Sequence, residues 1–174
     1  MLTARLNNSF RQFGNDMLKT VCIGETIWAF DGAGGINSGM PAPSYADAVR
    51  MILDSGIRVG AGSDARNTFP GNPWVGIQYM VTGKDRSGIL DNAGQTLTRL
   101  EALRLYTAAN GWFSKEEDVL GSVEVGKFGD LVVLNKNFLD AREVADEAIN
   151  RLSTLLTIVD GKVVHDAGAI GRRK

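Results

Sequence analysis

Downstream of Ser44, apolar residues recur at helical spacing. Ala48, Met51 and Ile52 share one face with Leu53 beside them, and Ser44 is suited to cap that helix. Asp54-Ser55-Gly56 ends it, with Gly56 fitting a left-handed C-terminal position. Residues 57–62, Ile-Arg-Val-Gly-Ala-Gly, then read as a strand whose glycines permit close approach of neighbouring backbone. Helix, tight turn and strand make half of a repeating α/β unit. Residues 65–73, with Pro70, Gly71 and Pro73, are irregular, residues 74–82 are apolar on one side and predict a helix, and residues 84–94 are a polar loop. Thr98 and Glu101 form a capping box, and Leu100, Leu103, Leu105 and Tyr106 carry the helix to about Asn110. Gly111 fits its C-terminal cap, and residues 114–117 predict a further short helical turn.

The pattern changes after Gly126. Residues 126–129 are a turn and residues 130–134 a strand. A second strand falls within 152–159 and a third within 161–165, with Asp160-Gly161 a strong hairpin signal between them. A hairpin alone is marginal in water, so this unit must pack on other elements. Upstream, residues 31–43 hold four glycines in the eight residues 32–39, plus Pro41 and Pro43, and read as a loop. No strand-to-helix context and no Gly-Lys-Ser/Thr ending accompany them, which argues against a phosphate-binding loop. The chain divides into residues 1–43, a segment without assigned structure; 44–125, an α/β segment; and 126–174, a small β unit with a tail.

A chain of 174 residues suffices for one hydrophobic core. Its 44% apolar and 22% charged residues are those of a soluble globular protein. A net charge of −1 gives no basic excess for nucleic acid and no acidic excess for a solvating tail. Arg172-Arg173-Lys174 reads as a solvated terminus. No apolar run reaches the ~20 residues that cross a bilayer, and no signal-peptide pattern opens the chain. The single cysteine, Cys22, cannot form an internal disulfide and lies in an apolar run, as a buried structural thiol would. A cytoplasmic protein is the default expectation.

Few residues point to chemistry. Asp64 directly follows the strand at 57–62, as a catalytic carboxylate at a strand end would, or as an aspartate capping the next turn would. Asn72 precedes Pro73 and fits a loop-shaping role, Trp74 fits packing beneath it, and either is a candidate for substrate contact. Asn110 fits a helix cap. Glu116, Glu117 and Asp118 are consecutive, so they share no face and read as a solvated helix start. His165, the only histidine, falls in the last strand.

Taken in order, several segments resemble the amidohydrolase superfamily, and amidohydrolase family 3 within it. Residues 56–64 resemble its last barrel strand, and residues 72–77 the element that follows. Residues 98–111 are similar to its next helix, residues 120–134 to the stretch re-entering its small β-domain, and residues 157–164 to its closing hairpin. The resemblance implies the C-terminal part of a (β/α)8 TIM barrel plus a small β-sandwich or hairpin element, with residues 44–125 carrying the last barrel strand. It implies a metal-dependent hydrolase that cuts C–N or related bonds of small molecules with metal-activated water. Asp64 then takes the catalytic and metal-binding role at the barrel's C-terminal face, where such folds place their chemistry. The implied cofactor of full members is a divalent metal, with zinc expected, and whether this chain holds one stays open. Three or four protein ligands are normal for such a site, whereas this chain has one histidine. The chain is therefore expected to be a truncated portion. A partial barrel leaves strand edges and apolar surface uncovered, so a homo-oligomer or a complementing chain is expected. The alternative function is a non-catalytic remnant acting as a self-associating or interaction protein.

Overall fold

The computed structural model describes residues 13–14, 19–20, 49–56, 58–62, 71–85, 87–90 and 93–169. Ser44, the glycine-rich loop at 31–43, Cys22, Glu25, Ser63, Asp64 and the basic tail lie outside them. Two short strands, β1 (Phe13–Gly14) and β2 (Lys19–Thr20), pair antiparallel. The first helix, α1 (Val49–Asp54), buries Val49 and ends with Gly56 at φ 76°, as its glycine predicts.

Helix α2 (Pro73–Thr82) begins one residue earlier than the apolar pattern suggests. Asn72 is its N-cap: the side-chain oxygen accepts from the Trp74 amide at 3.0 Å, and Pro73 sits in the first turn, where its missing donor costs nothing. Gly83 closes the helix in the left-handed conformation. Helix α3 (Arg99–Tyr106) carries the expected capping box, with the Glu101 amide donating to Thr98 Oγ1 at 3.2 Å and the Thr98 amide to Glu101 Oε2 at 2.8 Å.

The expected single helix to Asn110 is instead two. A break at Thr107 separates α3 from α4 (Ala108–Ser114). Thr107 turns its hydroxyl back to the Leu103 carbonyl at 2.9 Å, a bond that competes with helix continuation. Gly111 is not a cap but a buried residue inside α4, where an added Cβ would stand 3.2 Å from Glu117 Cα. The left-handed position belongs to Lys115 (φ 61°), and residues 114–117 open no new helix.

Strands β3 (Leu131–Leu134), β4 (Thr154–Val159) and β5 (Lys162–Asp166) form an antiparallel sheet with β4 in the centre. Asp160 (φ 49°) and Gly161 (φ 71°) make the expected two-residue turn between β4 and β5, both in the left-handed region that matches strand twist. The turn is anchored: the Asp160 amide donates to Asp130 Oδ1 at 2.7 Å. A 3-10 helix (Asp146–Arg151) precedes β4 and packs on α2.

The core lies between α2, α3 and this 3-10 helix. Ile77, Met80, Ala102, Leu105, Phe138 and Ile149 meet there. Arg99 ties it together: its guanidinium donates to the Phe138 and Val144 carbonyls and to Asp146 Oδ1, and lies over the Phe138 ring at 5.6 Å. The sheet joins this core through Leu134, while much of β3 and β5 is exposed. Among the described residues the fold thus consists of helices, the two-stranded β1–β2 pair and the three-stranded antiparallel sheet; a closed barrel is not among its elements. No helix of the described residues is long and apolar enough to cross a membrane.

Candidate functional site

Asp64 lies outside the described residues, but the residues leading to it do not. The segment at 58–62 is not the strand that its sequence predicts. Its polar groups go to helices instead of a neighbouring strand. The Ala61 amide donates to the Leu105 carbonyl at 2.9 Å, and Leu105 is in the last turn of α3, where carbonyls lack helical partners. Asn110 Nδ2 donates to the Ala61 carbonyl at 2.9 Å, and Tyr106 Oη to the Gly62 carbonyl at 3.3 Å. Burial raises the Tyr106 pKa, so the phenol keeps this proton at neutral pH. Asn110 is therefore not a helix cap: it lies inside α4 and reaches across to residue 61.

Packing explains the glycine at position 60. A Cβ there would stand 2.2 Å from Asn110 Oδ1 and 2.8 Å from the Phe113 ring. Val59 and Ala61 pack on the core, and the Arg58 guanidinium lies 4.7 Å from the centre of the Trp112 ring. In the sequence, two residues separate this held peptide from Asp64. The sequence pattern offers Asn110 as a lesser candidate, read as a helix cap, and does not single out Tyr106 or Gly60. The signal for them was the Gly-Ala-Gly spacing, which announces a close neighbour without naming it.

Asn72 and Trp74 are placed elsewhere by their contacts. Asn72 caps α2, and its Nδ2 donates to the Asn150 carbonyl at 3.2 Å. The Trp74 ring packs on Phe138 with centroids 5.1 Å apart. Their hydrogen bonds and ring contacts run to the 3-10 helix and the core, not to residues 58–62.

The ionic groups lie apart from residues 58–62 in separate pairs. Arg50 Nη2 bonds Glu101 Oε1 at 2.8 Å and links α1 to α3. That bond, with the Thr98 cap, holds the Glu101 carboxyl down at about 2. His165 lies exposed on β5 opposite Thr157. Glu116, Glu117 and Asp118 are exposed in a turn. Among the described residues no group of three or more His, Cys, Asp or Glu side chains comes together as metal donors would. The donors described do not fit a complete divalent-metal site.

Comparison with known proteins bears on the same stretch. The amidohydrolase family matches residues 27–165. An "N-substituted formamide deformylase" from Arthrobacter pascens is 33% identical over 116 residues, covering 65% of this chain and 20% of that protein. A "Probable guanine deaminase" from Schizosaccharomyces pombe is 30% identical over 88 residues, covering 50% of this chain and 17% of that protein. The match takes in about a fifth of the length of these curated relatives.

Proposed function

Since the chain belongs to the amidohydrolase family, we propose that it serves hydrolysis of a C–N or related bond in a small molecule, with Asp64 as its reacting carboxylate. The observation that carries this reading is the anchoring of the preceding segment. With Ala61 bonded at both its amide and its carbonyl, Asp64 is tethered three residues from a fixed point on the α3–α4 body. Each residue adds at most about 3.6 Å of reach. Reactive groups on short tethers from a rigid scaffold are the usual arrangement of an active site.

The Asp64 carboxylate takes a proton from the attacking water as oxygen bonds to the substrate carbon. It returns that proton to the departing nitrogen as the C–N bond breaks. The names of the relatives suggest the substrate class: a formamide yields formate and an amine, and an amino-purine yields a ketone form and ammonia. A divalent metal at this site would be held by Asp64 and would acidify the attacking water; no complete set of further ligands comes together among the described residues. Asn72 and Trp74 enter as the residues that fix the start of α2, the next described helix after Asp64.

The test is formate release from an N-alkylformamide, and ammonia release from guanine, by the purified protein supplied with zinc. Turnover that Asp64→Asn removes is the expected result. No turnover on either compound, or turnover that Asp64→Asn leaves intact, overturns the reading.

A second reading, a self-associating protein without catalysis, is favoured by the sheet. Val132 and Val133 on β3 and Val163 and Val164 on β5 are 44–61% exposed. Sedimentation decides it: a monomer at micromolar concentration counts against it.

A further inference from the structure

We propose that the chain pairs with a second copy of itself along the outer edge of β3, antiparallel, with Val132 opposite Leu134 of the second copy and Asp130 opposite its Lys136. The inference rests on the self-association reading and names its surface; it asks nothing of the catalytic one. Among the described elements β3 neighbours only β4. Its backbone alternates, and two hydrogen bonds fix the phase. The Asn135 amide donates to the Ser153 carbonyl at 3.0 Å, and the Gly129 carbonyl accepts from the Gly161 amide at 3.3 Å. Residues 129, 131, 133 and 135 therefore turn their polar groups toward the sheet, and Val132 and Leu134 turn theirs outward. An outward row of unpaired N–H and C=O groups is a template for another strand.

Edges are commonly blunted by charge, proline or a bulge. The other edge, β5, carries two of these: Lys162 begins it, and its pairing with β4 slips between Thr157 and Ile158, where Val164 is the extra residue. β3 has neither. Its sequence is Leu-Val-Val-Leu, and the irregularity in its ladder falls on β4, where Leu155 is the extra residue.

Hydrogen-bonded pairing of two such edges sets an outward residue opposite an outward residue. Three antiparallel registers achieve this within the strand. Val132 on Val132 sets Lys136 against Phe128, and Leu134 on Leu134 sets Lys136 against Val132. Val132 on Leu134 sets Asp130 against Lys136 at both ends, because a two-fold axis repeats every contact. Both of these side chains are exposed, and opposite charges directly across two strands attract where like charges repel. Charge complementarity thus selects the third register, which puts Val133 on the axis, opposite itself. Leu131, Val133, Leu156, Ile158 and Val163 form an apolar row on one face of the sheet. In the pair that row continues into the same row of the second copy.

Sedimentation of the whole chain at micromolar concentration, set beside Val132→Pro, tests the pairing. The Val132 amide points outward, so proline removes no bond of the three-stranded sheet and does remove the donor to the second copy. The expected result is a dimer of the parent and association at least about tenfold weaker in the variant, about 1.4 kcal/mol. Should Val132→Pro fail to fold, Lys136→Glu changes only an exposed side chain and sets like charges opposite each other. It is expected to weaken the dimer at least about threefold, and an unweakened dimer overturns the pairing. The register is read by mild oxidation in a Cys22→Ser background. At a non-hydrogen-bonded pair such as Val133 on Val133 the Cα atoms lie about 4.5 Å apart, within disulfide reach. Val133→Cys is therefore expected to form a covalent dimer at least about tenfold faster than Val132→Cys, which does not face its own copy. A monomeric parent overturns both this inference and the self-association reading. A dimer that folded Val132→Pro leaves intact, or equal cross-linking at the two positions, overturns the pairing through β3 while self-association stands.

Discussion

Replacing Gly60 by alanine tests how tightly the segment before Asp64 is gripped. The backbone at Gly60 is not in the positive-φ region, so an alanine there carries no conformational strain. Restricting the unfolded chain would by itself stabilise the protein by about 0.4–1 kcal/mol. The contacts act the other way. The new methyl would lie 2.2 Å from Asn110 Oδ1 and 2.8 Å from the Phe113 ring, both well inside van der Waals contact. Relieving such overpacking costs about 1–3 kcal/mol. Moving Asn110 aside also gives up its bond to Ala61, worth about 1 kcal/mol. The net expectation is a loss of about 2 kcal/mol, or about 4–8 °C in Tm for a domain of this size. Thermal and urea unfolding followed by circular dichroism measure it. The double variant Gly60→Ala with Asn110→Ala should lose less than the sum of the two singles by at least about 0.5 kcal/mol, because one clash is shared. A Gly60→Ala protein as stable as the parent, or more stable, would refute the close approach.

Arg99→Lys should destabilise by about 2–4 kcal/mol, because an ammonium cannot reproduce the fork that serves Phe138, Val144 and Asp146; urea unfolding within 0.5 kcal/mol of the parent would contradict it. Ile149→Ala should cost about 2–5 kcal/mol, since the side chain is wholly buried in the core and leaves a cavity; the same unfolding assay reads it. The Glu101 carboxyl is held at about 2, below its ordinary 4.5, by Arg50 and the Thr98 cap. The unfolded chain therefore binds this proton more readily, so the stabilisation is intact above pH 4.5 and is lost as pH falls toward about 2. Solvent screening leaves about 1 kcal/mol of it, and Glu101→Gln should flatten the stability profile across that window, a slope that titrated unfolding measures.

The features legible along the chain are those whose partners sit within a few residues of one another. The Thr98–Glu101 capping box, the left-handed Gly56 and the Asp160-Gly161 turn each close over one to four positions, so residue type and spacing carry the whole interaction. The family resemblance is of the same kind, an ordered series of short segments, and the matched span of residues 27–165 agrees with it. Helix α3 stopping at Thr107 was not legible, because Thr107 is an acceptable helix residue and its break is accompanied by close packing from Gly121, which lies next to Ala108.

The tertiary structure alone decided what the glycine at 60 is for. The Gly-Ala-Gly spacing announces that something comes near, yet a strand, a ligand and a helix would all satisfy it. Asn110, fifty residues away, supplies the answer through a hydrogen bond to Ala61 that leaves no periodic trace in the sequence. The same holds for Arg99, whose acceptors at Phe138 and Val144 lie 39 and 45 residues along the chain. Local propensity and pattern are properties of neighbours in sequence, whereas these contacts exist only once α3, α4 and the segment at 58–62 have packed, and burial makes each of them matter.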